Sequence, residues 1–292
     1  MRTTFLLSIA LLAAPPLFGW GWKGHTMVNE AATHAVPAEL PAFFHRAYPR
    51  LVYLGYEPDR WRQGGDSLDA MNAPEHFLDY EYVSGLDLPK ERNAFIELLI
   101  ASGTLDRYGI EVSKPGFLPW RVAELCDLLE LQWRTWRRGD LTADERLQVE
   151  ESIIYHAGVL GHYIADGANP HHATIHYNGW VGVPNAESYP TDCDAHFRFE
   201  SAFVTRAVEL SEILPEMAEV TPRADYFATA VELIRESNNL VERLYALDRD
   251  GGFQQSGGSQ AGEDFAARRL AHGASLLRDL WWSTWRNSAS WR

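Results

Sequence analysis

GHYIADGANPHH, residues 161–172, closes what reads as a long amphipathic helix. Three of these twelve residues are histidines and one is an aspartate. His162 and Asp166 are four apart, so on a helix they share one face with about 6 Å between β-carbons. An imidazole and a carboxylate at that separation can ligate one metal ion. Pro170 ends the helix, and His172 beyond it can turn back towards the same face.

The helix is legible upstream of that stretch. Thr142 and Glu145 form a capping box, and Leu147, Ile153, Ile154, Ala157, Leu160 and Ile164 continue one apolar face to Asp166. From Pro119 to Arg137, with proline in the first turn, Val122, Leu125, Leu129, Trp133 and Trp136 make a second stripe. Helical period also fits 23–35, 194–213, 225–247 and 263–286, while GGFQQSGGSQAG (251–262) reads as a flexible loop. Alternating strand patterns are nearly absent and no repeat is found. The expected fold is all-α, a single multi-helix domain of about seven to nine helices.

Composition sets the frame. The chain has 292 residues, 46% of them hydrophobic, enough to bury a large core and to exclude disorder. Its net charge of −14 repels polyanions and argues against a high-affinity nucleic-acid binder, though not against an enzyme that meets phosphodiesters through metal ions. Residues 1–19, MRTTFLLSIALLAAPPLFG, read as a signal peptide: Arg2, an apolar run from Phe5 to Ala14, two prolines and a small residue at Gly19. The run is too short to span a bilayer. The mature domain, 20–292, is expected to be secreted or periplasmic, with cleavage after Gly19 or after Gly21. Cys126 and Cys193 either pair or leave Cys126 as a small core residue.

The histidine–acid pairing recurs at His196 and Glu200, again four apart. WGWKGH (20–25) places His25 close behind the expected mature N-terminus, and PDRW (58–61) and EHFLD (75–79) supply Asp59 and His76 in a region that reads as loop-rich. One such pair is common on helix surfaces; the set is not. In this order the motifs W-G-x-x-G-H, an Asp, H-F-x-D, H-x-x-x-D-x-x-x-P-x-H and H-x-x-x-E resemble the superfamily of zinc-dependent phospholipases C and single-strand-specific zinc nucleases. The resemblance spans about residues 20 to 204, with a looser likeness in RRLAHGASLLRDLWWSTW (268–285).

The resemblance implies a trinuclear zinc cleft. Carried over by motif, Asp59, His76, His162 and Asp166 hold one ion, and His172, His196 and Glu200 the second. The amine and carbonyl of Trp20, with His25 and the other oxygen of Asp166, hold the third. Nitrogen and oxygen donors suit Zn²⁺. The implied reaction is phosphodiester hydrolysis by a metal-bound hydroxide, with Asp59 orienting the water or taking its proton and Arg62 stabilising a leaving oxygen or holding a phosphate. No protein partner and no membrane span are implied.

Two substrates stay open, a phospholipid head group and single-stranded nucleic acid. Glu200 followed by S-A-F-V, and the acidic surface, lean towards the phospholipase branch; the N-terminal motif and Arg62 look more like the nucleases. Phe77 and Tyr80 could stack a base. Choline-selective phospholipases put an acid and aromatics where this chain has Lys23, Arg60 and Ala73, so a cage for quaternary ammonium is missing and the cations favour an anionic or neutral head group. A different class, an exported zinc-binding protein without turnover, would keep the ligands alone. His171 and His176 are expected as exposed loop histidines, and His156 as a packing residue.

Overall fold

A computed structural model describes residues 20–254 and 256–290; the expected signal peptide lies outside the described residues. The capping box forms as the sequence dictates. Thr142 Oγ1 accepts from the Glu145 N–H, and the Glu145 carboxylate accepts from the Thr142 N–H at 2.8 Å. The helix it starts runs Ala143–Ala168. Its first half has the one-sided pattern of a surface helix, but from Ala157 to Ala168 every residue is buried. The final turns pass through the middle of the protein.

Small residues make that possible. A Cβ on Gly161 would sit 1.8 Å from Asn29 Oδ1, and one on Gly158 2.5 Å from the Leu54 side chain. Their absence lets the N-terminal helix (Gly21–His34) and the Tyr48–Leu54 helix press against the central one. Buried Asn29 bolts this junction, donating from Nδ2 to the carbonyls of Leu51 (2.7 Å) and Gly158 (3.0 Å). Two fully buried indoles grip the same helix: Trp20 donates to the Ala165 carbonyl (2.6 Å) and Trp281 to the Ala157 carbonyl (3.0 Å). The C-terminal helix (Gln260–Asn287), the Leu118–Trp136 helix and the Tyr226–Asn238 helix complete the enclosure. Burial of Leu160, Ile164, Leu277 and their neighbours stabilises it by about 1.5–3 kcal/mol per large side chain.

The all-α fold is present, with no strand among the described residues. Fifteen α-helices are found there, more than the periodicity gives. The excess comes from helices of four to ten residues between 42 and 108, several of them proline-initiated and too short for a periodic signal. The continuous helix expected over 194–213 is also broken. Phe197–Phe203 winds as a π-helix, followed by Val204–Ala207 and Leu210–Ile213. Cys126 is buried and Cys193 exposed; both are free thiols, so they do not pair. No helix of the described residues is long and apolar enough to cross a membrane.

Candidate metal centre

Six chain segments bring their histidines and acids to one buried place at the end of the central helix. His162 and Asp166 come from that helix and His25 from the N-terminal helix. Asp59 lies on the short Glu57–Arg62 helix, and His76 ends the Ala73–His76 turn. What reads as loop around Asp59 is therefore helical. His172 follows Pro170 in a 3-10 turn, and His196 opens the π segment that carries Glu200.

Asp166 is the hub. Its Oδ2 lies 2.9 Å from His76 Nδ1 and 3.2 Å from His162 Nε2; its Oδ1 lies 3.5 Å from His25 Nε2 and 3.6 Å from His172 Nδ1. Asp59 faces the same rings, with Oδ1 3.8 Å from His162 Nε2 and 3.9 Å from His76 Nδ1, and Oδ2 3.9 Å from His25 Nε2. In the second group, His196 Nε2 approaches Glu200 Oε2 at 2.5 Å and His172 Nε2 at 3.2 Å. The α-helical spacing of four survives the π winding because a turn of about 4.4 residues still leaves i and i+4 on neighbouring faces.

The hydrogen bonds fix which ring nitrogens carry lone pairs. His162 Nδ1 donates to the Gly55 carbonyl (2.9 Å) and His172 Nδ1 to the His76 carbonyl (2.8 Å), which turns the Nε2 of each towards the centre as the nitrogen that could ligate a metal. The Nε2 atoms face other would-be ligands: His162 Nε2 lies 3.0 Å from His76 Nδ1 and beside Asp166, and His172 Nε2 lies beside His196 Nε2. Both Asp59 oxygens, both His25 nitrogens and Asp166 Oδ1 are buried without a hydrogen-bond partner. Buried polar atoms left without hydrogen-bond partners are costly, and a cation among them would satisfy them. Nitrogen and oxygen atoms about 2.0–2.1 Å from one tetrahedral zinc stand about 3.4 Å apart, inside the 2.5–3.9 Å range measured here. Three triads could each hold an ion: His25–His162–Asp166, Asp59–His76–His162 and His172–His196–Glu200. The donor set, imidazole and carboxylate with no thiolate, fits zinc.

Burial opposes a charge on His162, but Asp166 and Asp59 beside it raise its pKa above the usual histidine value. Burial pushes the carboxyls of Asp59 up to about 7 and Glu200 up to about 8, and holds His76 and His196 down to about 4. Burial and neighbouring His162 hold His25 well below its usual value. Burial pushes Asp166 upward too, but His172, His162 and His25 around it overcome this and keep it well below the usual carboxylate range. A bound cation opposes the upward shifts of the two other carboxyls.

The centre opens on a cleft of about 230 Å³ lined by Arg62, His76, Phe77, Lys114, His172 and His196, among others. Arg62 stands one turn beyond Asp59, and its Nε donates to Asp69 Oδ1 at 2.7 Å. The cations expected to meet a head group are elsewhere. Lys23 is tied to Glu209 and the Thr205 carbonyl, and Arg60 stacks on Tyr53, its guanidinium 4.3 Å from the ring centroid. Lys114, which spacing could not single out, takes that place beside Tyr177 and 3.7 Å from buried Asp79. Tyr80 packs against the core, leaving Phe77 at the cleft. Trp20 is buried behind the centre, its ring 5.2 Å from Phe199 and its indole on the residue before Asp166.

Two expectations fail. His171 is not exposed: it is buried, lines the cleft, and its ring lies 5.1 Å from that of His196 at 27°. Burial and the neighbouring His196 hold it well below its usual value. His176 is half-buried, stacked on Trp180 at 3.9 Å and accepting from the Val181 N–H. Sequence reasoning also overlooks Asn169. Its Nδ2 donates to Glu200 Oε2 (3.1 Å) and its Oδ1 accepts from the His171 N–H (3.1 Å), so it orients one ligand and caps the turn that carries another. An asparagine directly before Pro170 is the available signal.

No family model and no curated protein matches the chain. Among solved structures it is similar to the alpha toxin from Clostridium absonum, at 11% identity and a TM-score of 0.46 over 91% of this chain and 64% of the toxin. It is also similar to the alpha-toxin of an avian strain of Clostridium perfringens, at 12% identity and a TM-score of 0.44 over 92% of this chain and 64% of that one. The chain spans less than two thirds of either toxin's length.

Proposed function

We propose that the protein is an exported zinc-dependent phosphodiester hydrolase, with a phospholipase C-like ester as its substrate class. The observation that carries this is the convergence of buried imidazole nitrogens and carboxylate oxygens on Asp166, several of them without a hydrogen-bond partner, behind a cleft lined by His76, His172, His196, Arg62 and Lys114. In this reading Asp59, His76, His162 and Asp166 hold one zinc, His172, His196 and Glu200 a second, and His25, Asp166 and the main chain of Trp20 a third. Zinc there supplies Lewis acidity and a lowered pKa for water. The chain's own residues do the rest. Arg62 and Lys114 bind the phosphate, Asp59 accepts or orients the proton of the attacking water, and the buried walls exclude bulk solvent.

Glu200 and the acidic surface favour a phospholipid, and the cleft cations suit an uncharged or anionic head group on it rather than a quaternary ammonium. Phe77 at the cleft supports a second reading, single-stranded nucleic acid stacked on that ring. Mature protein with its zinc counted, assayed on mixed phospholipids and on single-stranded nucleic acid with and without a chelator, separates the two. Chelator-sensitive release of phosphorylated head groups is expected. Cleaved nucleic acid with intact lipid selects the second reading. Zinc without turnover on either, and an Asp59→Asn variant that keeps its zinc, would leave a zinc-binding protein that is not an enzyme.

A further inference from the structure

A second opening, of about 380 Å³, lies between the C-terminal helix and the chain around Leu240. Three arginines line it: Arg243, Arg268 and Arg269. Ala261, Asp264, Phe265 and Arg268 fall at i, i+3, i+4 and i+7, one exposed face of the Gln260–Asn287 helix. Arg269 is 8% exposed and forms part of the wall.

Arg269 is an unusual cation. Its Nε donates to the Ala168 carbonyl (2.8 Å) and its Nη2 to Ser237 Oγ (3.0 Å), and Ser237 in turn donates to the Gly167 carbonyl (2.6 Å). With Ser237 it caps the negative end of the central helix, taking up the last two carbonyls, of Gly167 and Ala168. Among the described residues no carboxylate lies within ion-pair distance of it. Burial holds its pKa down to about 10, so the folded protein bears an unfavourable charge here. Arg268 is only loosely compensated, 3.4 Å from an exposed Glu216. The one carboxylate on the wall, Asp264, accepts from Gln260. Three guanidinium groups around one hollow repel each other, and Asp264 is the one acid among the residues that line it.

We propose that this hollow is an anion site that takes a phosphate dianion, free or as the phosphate of a phosphomonoester. Planar guanidinium groups match the oxygen geometry of phosphate and bind it bidentately. The Nη1 edge of Arg269 is left over by the helix cap, and Arg243 and Arg268 complete the rim. The site stands apart from the metal cleft but communicates with it. A phosphate held by Arg269 sits across that guanidinium from Ala168, two residues beyond Asp166, and so stiffens the end of the helix that carries the hub. Anion binding here is independent of the proposed reaction.

The test is a calorimetric titration of the full-length, zinc-loaded protein with inorganic phosphate, repeated after chelation, on wild type and on R243A/R268A. Both arginines are outside the metal centre and exposed, so the variant should keep its zinc content and helicity. Phosphate binding that survives chelation and weakens at least tenfold in R243A/R268A is the expected result. Binding that vanishes with the metal, or that is unchanged in the double variant, would overturn the proposal, as would no binding to wild type. Arg269→Lys keeps the charge but loses the fork, and several-fold weaker binding is expected. Glycerol 3-phosphate titrated in parallel identifies the source: tighter binding than inorganic phosphate points to a phosphomonoester, equal binding to the free ion.

Discussion

The Nδ1–H of His172 donates to the main-chain carbonyl of His76 across 2.8 Å, joining the two halves of the metal centre. One side chain thereby orients a ring for the second triad and pins the backbone that supplies a ring to the first. The centre is one mechanical unit, and damage to its supporting groups should spread unequally according to which side they hold.

Asn169→Ala should show this. The substitution frees Glu200 Oε2 and the turn under His172 but leaves Asp59, His76 and His162 as they are. Zinc affinity of the His172–His196–Glu200 group should fall about ten- to a hundredfold, as for other losses of ligand-orienting bonds. Competition with a chromophoric chelator, resolved into successive ions, reads it. Equal weakening of every ion would contradict the placement of Asn169.

The pH dependence of the zinc-free protein reflects opposing shifts. Above about pH 6.5 the folded chain retains protons on Asp59 and Glu200, with values of about 7 and about 8, that the unfolded chain has lost. Stability then falls as pH rises through those values. Below about pH 6.5 those two carboxyls still favour the fold, but four histidines that burial keeps neutral in it, His25, His76, His171 and His196, are protonated in the unfolded chain and outnumber them, so stability falls in that direction as well. The unfolding midpoint of chelated protein should therefore peak near pH 6.5, approximately the usual histidine value. Zinc displaces the protons on Asp59 and Glu200, and more should be released on zinc uptake at pH 6.5 than at pH 8.5 in a lightly buffered titration. A midpoint that climbs steadily to alkaline pH without zinc would be incompatible with buried, protonated carboxyls.

Gly161→Ala gains helix propensity worth up to about 1 kcal/mol, yet puts a methyl group 1.8 Å from Asn29 Oδ1. Overpacking should win, destabilising the protein by about 1–3 kcal/mol in denaturant titrations. Because the clash is with one side chain, Asn29→Ala combined with Gly161→Ala should cost less than the sum of the single changes. Strict additivity would mean the helices part rather than the side chain yielding.

Arg62→Ala and Lys114→Ala remove the cleft cations without touching a proposed ligand. Each should lower kcat/KM by about ten- to a hundredfold, the loss of one charge-assisted hydrogen bond of about 1.5–3 kcal/mol, with zinc content unchanged. Parallel steady-state kinetics and metal analysis check both halves. A fall in bound zinc would assign these residues to upholding the centre instead.

Much of the centre is legible because it is written in helical spacing. His162 with Asp166, and His196 with Glu200, are four apart, and the capping box at Thr142 sets the register of the first pair. Asp59 and His76 need motif resemblance, since their short helices carry no period. Lys114 and His171 are out of reach for a different reason: their positions depend on which loop folds over the cleft, a tertiary outcome. Lys23 illustrates the converse, a cation near a motif in sequence that faces Glu209 in space.

The π winding of Phe197–Phe203 has a bearing on how this chain can vary. Such a segment holds one more residue than an α-helix of similar reach. Losing one there rewinds the turn and swings its N-terminal side by about 100° against its C-terminal side, carrying His196 away from His172. Side chains along the stretch can be exchanged fairly freely on the outer face, but its residue count cannot. In lineages descended from this sequence, substitutions are therefore expected at the outward positions 197, 201 and 202, while insertions and deletions between 197 and 203 are purged.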